Sequence, residues 1–297
     1  MSTDKSTESH LVEEGGADLH SHSSSSDGQF SPARLVKLAE AANLEALALT
    51  DHDTVGGLEE FMRAGRDSTL ETIPGVEISC ENSSGRYHIL GYYLDWQKPA
   101  VAQKLKYYEE SRAERVRKMM DILREETEST LTFEKVAAQA GKNLIGKPHV
   151  AQAMVKEGFV ETTDEAFEKY LASGQMLDAA PKERMGVREA VKLIKSANGV
   201  PVLAHPVLYP GGLEELNFRG LGIEGLEVYY SDNQPADQQK YLDFAREKDL
   251  LVVGGTDFHG PVKPEVKLGD IRIELSLVKK LKQKCKISGG RYDLFRS

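Results

Sequence analysis

Imidazole and carboxylate groups gather in a few short stretches of this chain. His20 and His22 follow Asp18 as D-x-H-x-H, with Asp27 just beyond. His52 sits between Asp51 and Asp53 in T-D-H-D, and His259 follows Asp257 by two positions. Glu77, His88 and His205 complete the group. Together, imidazole and carboxylate suit zinc, iron or manganese. Taken singly, each piece has an ordinary explanation: a histidine at a strand end is commonly structural, aspartates form turns, and Ser23–Gly28 could be a plain loop. Their common position carries more weight. Of His20, His22, His52, His88, His205 and His259, five fall at or just after the C-terminal end of a predicted strand, and His88 falls within one. His10 lies in an N-terminal tail.

The elements that must position these groups alternate. Strand patterns at 17–20, 45–50, 72–79, 87–94, 200–204, 223–229 and 250–254 are interleaved with helical patterns at 31–43, 55–64, 187–197 and 234–248. The helix at 31–43 opens with Ser31 as N-cap and Pro32 at its first position. Alternation of this kind indicates βαβ units and a parallel sheet, and about seven strands favour an α/β barrel over an open sheet. In such a barrel the C-terminal strand ends converge on one face, so residues scattered along the sequence meet there. Residues 99–182 break the alternation with helical patterns alone, at 101–127, 133–140, 149–157 and 165–171. The expected organisation is a disordered polar tail at 1–15, a barrel formed by 16–98 and 183–297, and an all-helical inserted subdomain at 99–182. Residues 266–297 are basic; they are expected to close the barrel or pack against its bottom.

Composition narrows the function classes. A net charge of −9 argues against a coat for duplex nucleic acid, though bound cations can reverse the local field. No stretch approaches the roughly 18 consecutive apolar residues of a membrane span. The N-terminus has no apolar core of a secretory signal. Cys80 and Cys285 suggest no disulfide framework, so a cytoplasmic, reducing setting is the expectation.

The segments DLHSHSSSSDG (18–28), LTDHDTVGG (49–57), PGVEIS (74–79), YHILGY (87–92), LAHP (203–206) and GGTDFHG (254–260) resemble, in order, the polymerase-and-histidinol-phosphatase (PHP) superfamily of metal-dependent phosphoesterases. KPHVAQAMV (147–155) is similar to the branch with a helical insert, which contains nucleoside 3′,5′-bisphosphate phosphatases and a 5′→3′ exoribonuclease-like activity. That branch often has arginine where Lys147 stands, and lysine offers charge without the planar fork. The resemblance implies a distorted seven-stranded (β/α)7 barrel holding two or three divalent ions (Mn, Fe or Zn). It implies a first metal on His20, His22, Glu77 and Asp257, a second on Glu77, His88 and His205, and a third on Asp27, His52 and His259. Glu77, Asp257 and His205 would hold a metal-bridging hydroxide that attacks the phosphate ester. Asp18 and Asp51 are expected to orient imidazole ligands. Lys147 and His149 are the expected substrate contacts, given by the insert as a lid, with Lys169, Tyr170 and Asn233 of lesser weight. The charged helix at 104–128 reads as a solvated face.

The implied function is hydrolysis of nucleotide phosphate esters, either a 3′,5′-bisphosphate or a short 5′-phosphorylated oligoribonucleotide. The implied partner is therefore a small nucleotide or short oligonucleotide, with no stable duplex and no membrane. Two rivals keep the metals but change the reaction: a histidinol-phosphate-type phosphatase and an amidohydrolase-like C–N hydrolase. A rival from another class is a non-catalytic metal- or nucleotide-binding module, whose signature would be missing ligands.

Overall fold

In a computed structural model of the protein, residues 9–127, 130–140, 145–171, 184–209 and 212–287 are described. The chain divides into two compact units, Met1–Ala102 with Met185–Ser297, and Gln103–Arg184.

The first unit is built on one sheet. Strands β1 (Ala17–Asp18), β2 (Ala46–Leu49), β3 (Glu71–Asn82), β4 (Gly85–Tyr92), β6 (Val200–Leu203), β7 (Gly225–Tyr230) and β8 (Leu251–Gly255) pair in that order, and the short β5 (Met185–Gly186) pairs with β3 off the path. The ends of this path meet. Leu19 N donates to Gly254 O at 3.1 Å, and His22 N to Phe258 O at 2.9 Å, so the seven-strand path curls into a nearly closed barrel. Gly255 permits that seam: a Cβ there would lie 2.3 Å from His20 N.

The expectation of a parallel sheet needs one correction. Strand β4 runs antiparallel to both neighbours, β3 and β6, while the other pairings are parallel. Only two residues separate β3 from β4, too few for the crossover that a parallel pair requires. The inversion brings the N-terminal half of β4, with His88, to the face where its neighbours end.

Helices cover the outside of the sheet. In α1 (Pro32–Ala41) the side chain of Ser31 accepts Arg34 N, and Leu35, Val36 and Ala39 are buried at helical spacing. In α7 (Val187–Ser196), Val187, Ala190, Val191 and Ile194 form one apolar face. Burying such a side chain stabilises the fold by roughly 1.5–3 kcal/mol.

Residues 9–15, expected within the disordered tail, are bonded: Val12 N donates to Arg272 O, and Leu11 bridges to Ile273. Their apolar members find partners across the seam, which outweighs the polar local composition. Residues 1–8 lie outside the described residues. The last segment takes both expected roles. Ile273 also bridges to Ala17 beside the seam, and α10 (Leu275–Ile287) buries Leu277, Val278, Leu281 and Cys285. The Cys285 thiol lies against the carbonyls of Tyr93 and Asn198, at the exit of antiparallel β4 and the entrance of β6, so this helix end packs at the end of the barrel away from His88 and His205. Residues 288–297 are outside the described set.

Among the described residues, the second unit is helical: α3 (Pro99–Thr127) from Gln103 on, α4 (Phe133–Ala140), α5 (Lys147–Lys156) and α6 (Thr163–Ala166), the last continued by a π-turn at Phe167–Leu171. It has its own core, which includes Met119, Leu123, Val136, Val150 and Leu171. No helix among the described residues is long and apolar enough to cross a membrane.

Candidate metal centre

Apart from His10, each imidazole of the first unit sits where a strand delivers it. His20 and His22 follow β1 and are held by bonds to the segment after β8, with Phe258 N donating to His20 O at 3.3 Å. His52 follows β2 and bridges Glu77 of β3, whose N–H donates to Asp51 O at 3.1 Å. His88 lies opposite Ser79 in the β3–β4 ladder. His205 follows β6, and Asp257 and His259 follow β8. Asp53, His205 and Asp257 all have positive φ (51°, 24° and 56°), costly for residues with a Cβ and characteristic of functional sites.

Glu77 is the hub. It is fully buried, and five histidines face it. Its Oε1 lies 2.8 Å from His88 Nδ1 and 2.9 Å from His205 Nε2. Its Oε2 lies 3.1 Å from His20 Nε2, 3.1 Å from His22 Nε2 and 3.2 Å from His52 Nδ1. Asp257 Oδ1 stands 3.3 Å from His20 Nε2 and 3.0 Å from His22 Nε2. To one side, Asp27 lies 3.2 Å from His259 Nε2 and 3.8 Å from His52 Nε2.

Three groups of donors could each hold an ion: His20, His22, Glu77 and Asp257; His52, Glu77 and His88; and His22, Asp27, His52 and His259. The first has the membership implied by the resemblance. The other two differ in sharing His52 and in adding His22 to the Asp27 group. His205 lies beside the second, its Nε2 3.1 Å from His88 Nδ1. The donors fit divalent cations by a further observation. Both ring nitrogens of His22 and Nδ1 of His52 are buried with no hydrogen-bond partner, although carboxylate oxygens are close. Orphaned buried nitrogens are costly in a folded protein, and a shared cation satisfies them.

The electrostatics agree. Burial would raise the Glu77 carboxyl, but His52, His20 and His88 hold it well below the usual carboxylate range. Asp257 is likewise lowered against its burial, by His20 and His22. Burial would depress His22, yet Asp257 and Glu77 push it up to about 10. Burial dominates at His52, lowering it to about 3 and keeping it neutral and ligand-competent. Burial would depress His20 too, yet Glu227, Glu77 and Asp257 push it well above the usual imidazole range.

Around the donors, the structure corrects two expectations and adds residues. Asp18 touches no imidazole. Its Oδ1 accepts Thr256 N and His20 N, and its Oδ2 accepts Thr256 Oγ1 and Gly269 N, which ties the barrel seam. Asp51 accepts Ser23 N, Ser23 Oγ and Ser26 Oγ, organising the loop that carries Asp27. The hydrogen bonds of both carboxylates go to backbone and hydroxyl donors. The carboxylate that does orient an imidazole is Glu227, to which His20 Nδ1 donates at 2.9 Å. Its one legible sign is an acid inside the apolar strand Gly225–Tyr230, at a position that proves fully buried. His259 Nδ1 donates to the Asp257 carbonyl at 2.7 Å, leaving Nε2 for Asp27. Tyr209 Oη lies 3.3 Å from His205 Nδ1, and Tyr230 Oη donates to Asp257 Oδ2 at 3.2 Å. Lys263, just beyond the GGTDFHG segment, reaches Asp257 Oδ2 at 2.7 Å.

The expected substrate contacts have local partners. In the helical unit, Lys147 Nζ donates to the Leu171 carbonyl, and His149 Nδ1 accepts Gly146 N at 3.1 Å, closing the first turn of α5. Lys169 pairs with Glu165 one turn away, and Tyr170 packs against the helical core. In the barrel unit, Asn233 Nδ2 donates to Val228 O at 2.7 Å at the exit of β7.

The PHP domain model matches residues 18–186 of this chain. Among known proteins, the chain is 32% identical over 249 residues to a 3′,5′-nucleoside bisphosphate phosphatase of Chromobacterium violaceum, covering 82% of this chain and 87% of that one. It is 31% identical to a 5′-3′ exoribonuclease of Haemophilus influenzae, covering 82% of this chain and 90% of the relative. A solved structure from Bifidobacterium adolescentis, provisionally assigned as a metal-dependent phosphoesterase, superposes with a TM-score of 0.75 at 29% identity, covering 92% of this chain and 97% of that one.

Proposed function

The chain belongs to the PHP family of metal-dependent phosphoesterases, and from that premise we propose that it hydrolyses phosphate esters of nucleotides, either a 3′,5′-bisphosphate or a short 5′-phosphorylated oligoribonucleotide. The observation that carries the nucleotide reading is the extent of the likeness. The nucleotide-handling relatives match over 82% of this chain, more than the barrel segments alone supply, so the shared sequence includes helical-unit residues.

The cofactors of this reading are two or three divalent cations, Mn, Fe or Zn. When bound, such cations activate water and neutralise developing oxyanion charge. The chain's own residues supply the frame. Glu77 divides its two oxygens between two groups of imidazoles, so neighbouring cations would be held close together. Asp257 and His205 border the same space from β8 and β6. Glu227 fixes His20 in the tautomer that frees Nε2.

A role for Lys147 and His149 at a substrate phosphate, with residues 99–182 as a lid, is part of this reading. The motif KPHVAQAMV supports it. A reducing, cytoplasmic setting accords with two buried cysteines that form no disulfide.

The test is phosphate release by Mn²⁺-loaded protein from adenosine 3′,5′-bisphosphate, 5′-AMP, a 5′-phosphorylated RNA dinucleotide and histidinol phosphate, with His20→Ala as blank. Cleavage of the bisphosphate or dinucleotide, absent in the variant, is expected. Turnover of histidinol phosphate alone would retain the chemistry and remove the nucleotide assignment.

A further inference from the structure

The turn that leaves β8 is built to aim one cation inward. Gly260, at φ 81°, reverses the chain where a Cβ would meet the Phe30 ring at 3.1 Å. Lys263 N donates to Gly260 O at 3.0 Å and Val266 N to Lys263 O at 3.1 Å, while Pro261 and Pro264 limit the backbone on either side. Pro261, Val262, Pro264 and Glu265 are exposed, whereas Lys263 turns in. Its ammonium reaches Asp257 Oδ2, the oxygen opposite the one that faces His20 and His22. One carboxylate thus separates a metal-facing side from an ammonium with 36% of its side chain still open to solvent. An ammonium has three N–H donors, and Asp257 takes one.

We propose that Lys263 is a phosphoryl-binding residue of the barrel unit, donating a remaining N–H to a non-bridging oxygen of a phosphate held at the metal centre. The inference rests on the phosphoester reading above. It assigns charge recognition to the rim of the barrel itself, whatever the helical unit contributes. A cation next to the metal ligands compensates a dianionic ester where the surrounding carboxylates would otherwise repel it. Lysine, a compact charge on a flexible stem, can keep Asp257 and follow the oxygen as it moves.

The test uses full-length, Mn²⁺-replete protein as wild type, Lys263→Met and Lys263→Arg. Metal content, the affinity for inorganic phosphate by titration calorimetry, and steady-state kinetics on the best ester of the panel are measured together. Lys263→Met is expected to keep its metal, to bind inorganic phosphate about 10- to 100-fold more weakly, and to raise KM by a similar factor, with Lys263→Arg recovering part of both. Unchanged phosphate affinity in metal-replete Lys263→Met would overturn the inference. So would loss of metal from that variant with no weakening of phosphate binding once metal is restored, since Lys263 would then only support Asp257. If wild type turned over no ester yet bound phosphate in a Lys263-dependent way, the catalytic reading would fall and this site would stand.

Discussion

Glu227 spans two metal-facing histidines: it accepts His20 Nδ1 through one oxygen at 2.9 Å and the backbone N–H of His205 through the other at 2.7 Å. A single carboxylate on β7 therefore sets the ring of a residue after β1 and the backbone of a residue after β6. Glu227→Gln preserves shape and one acceptor but weakens the grip on His20. The expected outcome is a metal affinity lower by about 10- to 100-fold with the fold intact. A chelator-competition titration beside circular dichroism checks it, and equal affinity in the variant would remove Glu227 from the centre.

Glu77→Gln is expected to be more severe, because both oxygens are used and between them they face five imidazoles. Activity should fall by at least about a thousandfold, on the scale of losing a group that stabilises transition-state charge. Metal content by mass spectrometry should drop by one ion or more. Full occupancy together with wild-type turnover would contradict the bridging role.

Metal binding should depend on pH in a definite direction. The metal-free fold holds a proton on His22, whose value is pushed up to about 10 by Asp257 and Glu77 against its burial. A raised histidine stabilises the metal-free fold fully below its unfolded value near 6.5, and that contribution is lost as pH climbs toward 10. A cation must displace the same proton, so its affinity rises with pH. The gap in Tm between metal-loaded and chelator-treated protein should therefore widen from about pH 6.5 to 9. Thermal melts across that range decide the matter; a gap that narrowed would mean that His22 is neutral in the metal-free protein.

Asp18 offers a test of the barrel seam apart from the chemistry. Its buried carboxylate accepts four donors, and in Asp18→Asn the amide would turn N–H groups toward at least one of them. Leaving a buried donor unsatisfied costs about 1–3 kcal/mol, and the variant should melt several degrees lower. Destabilisation should persist in chelator-treated protein, which separates it from metal loss. An unshifted Tm would mean that the seam does not depend on these bonds.

Much of the site was legible in the residues themselves. Strand and helix periods are local, so the strand patterns and the histidines that follow them could be read directly, and the lack of strand signals over 99–182 marked the helical stretch. In sequence, His52 announced itself by lying between two aspartates at a strand end, and so did His20 and His22. Those chemical types at those places already determined that a metal centre should form where strands converge.

Tertiary structure decided the rest, because it depends on contacts between residues far apart in the chain. Whether β4 runs with or against its neighbours is set by a two-residue turn and by pairing with β6, and only that direction places His88 opposite Ser79 and beside Glu77. Closure of the sheet turned Asp18 toward Thr256 and Gly269, over 230 positions away, and left Glu227 to orient His20. The sequence by itself determined which side chains could bind a cation. Their sharing, with His22 and His52 standing between donor groups and Lys263 at the rim, is a matter of register and distance that no local pattern encodes.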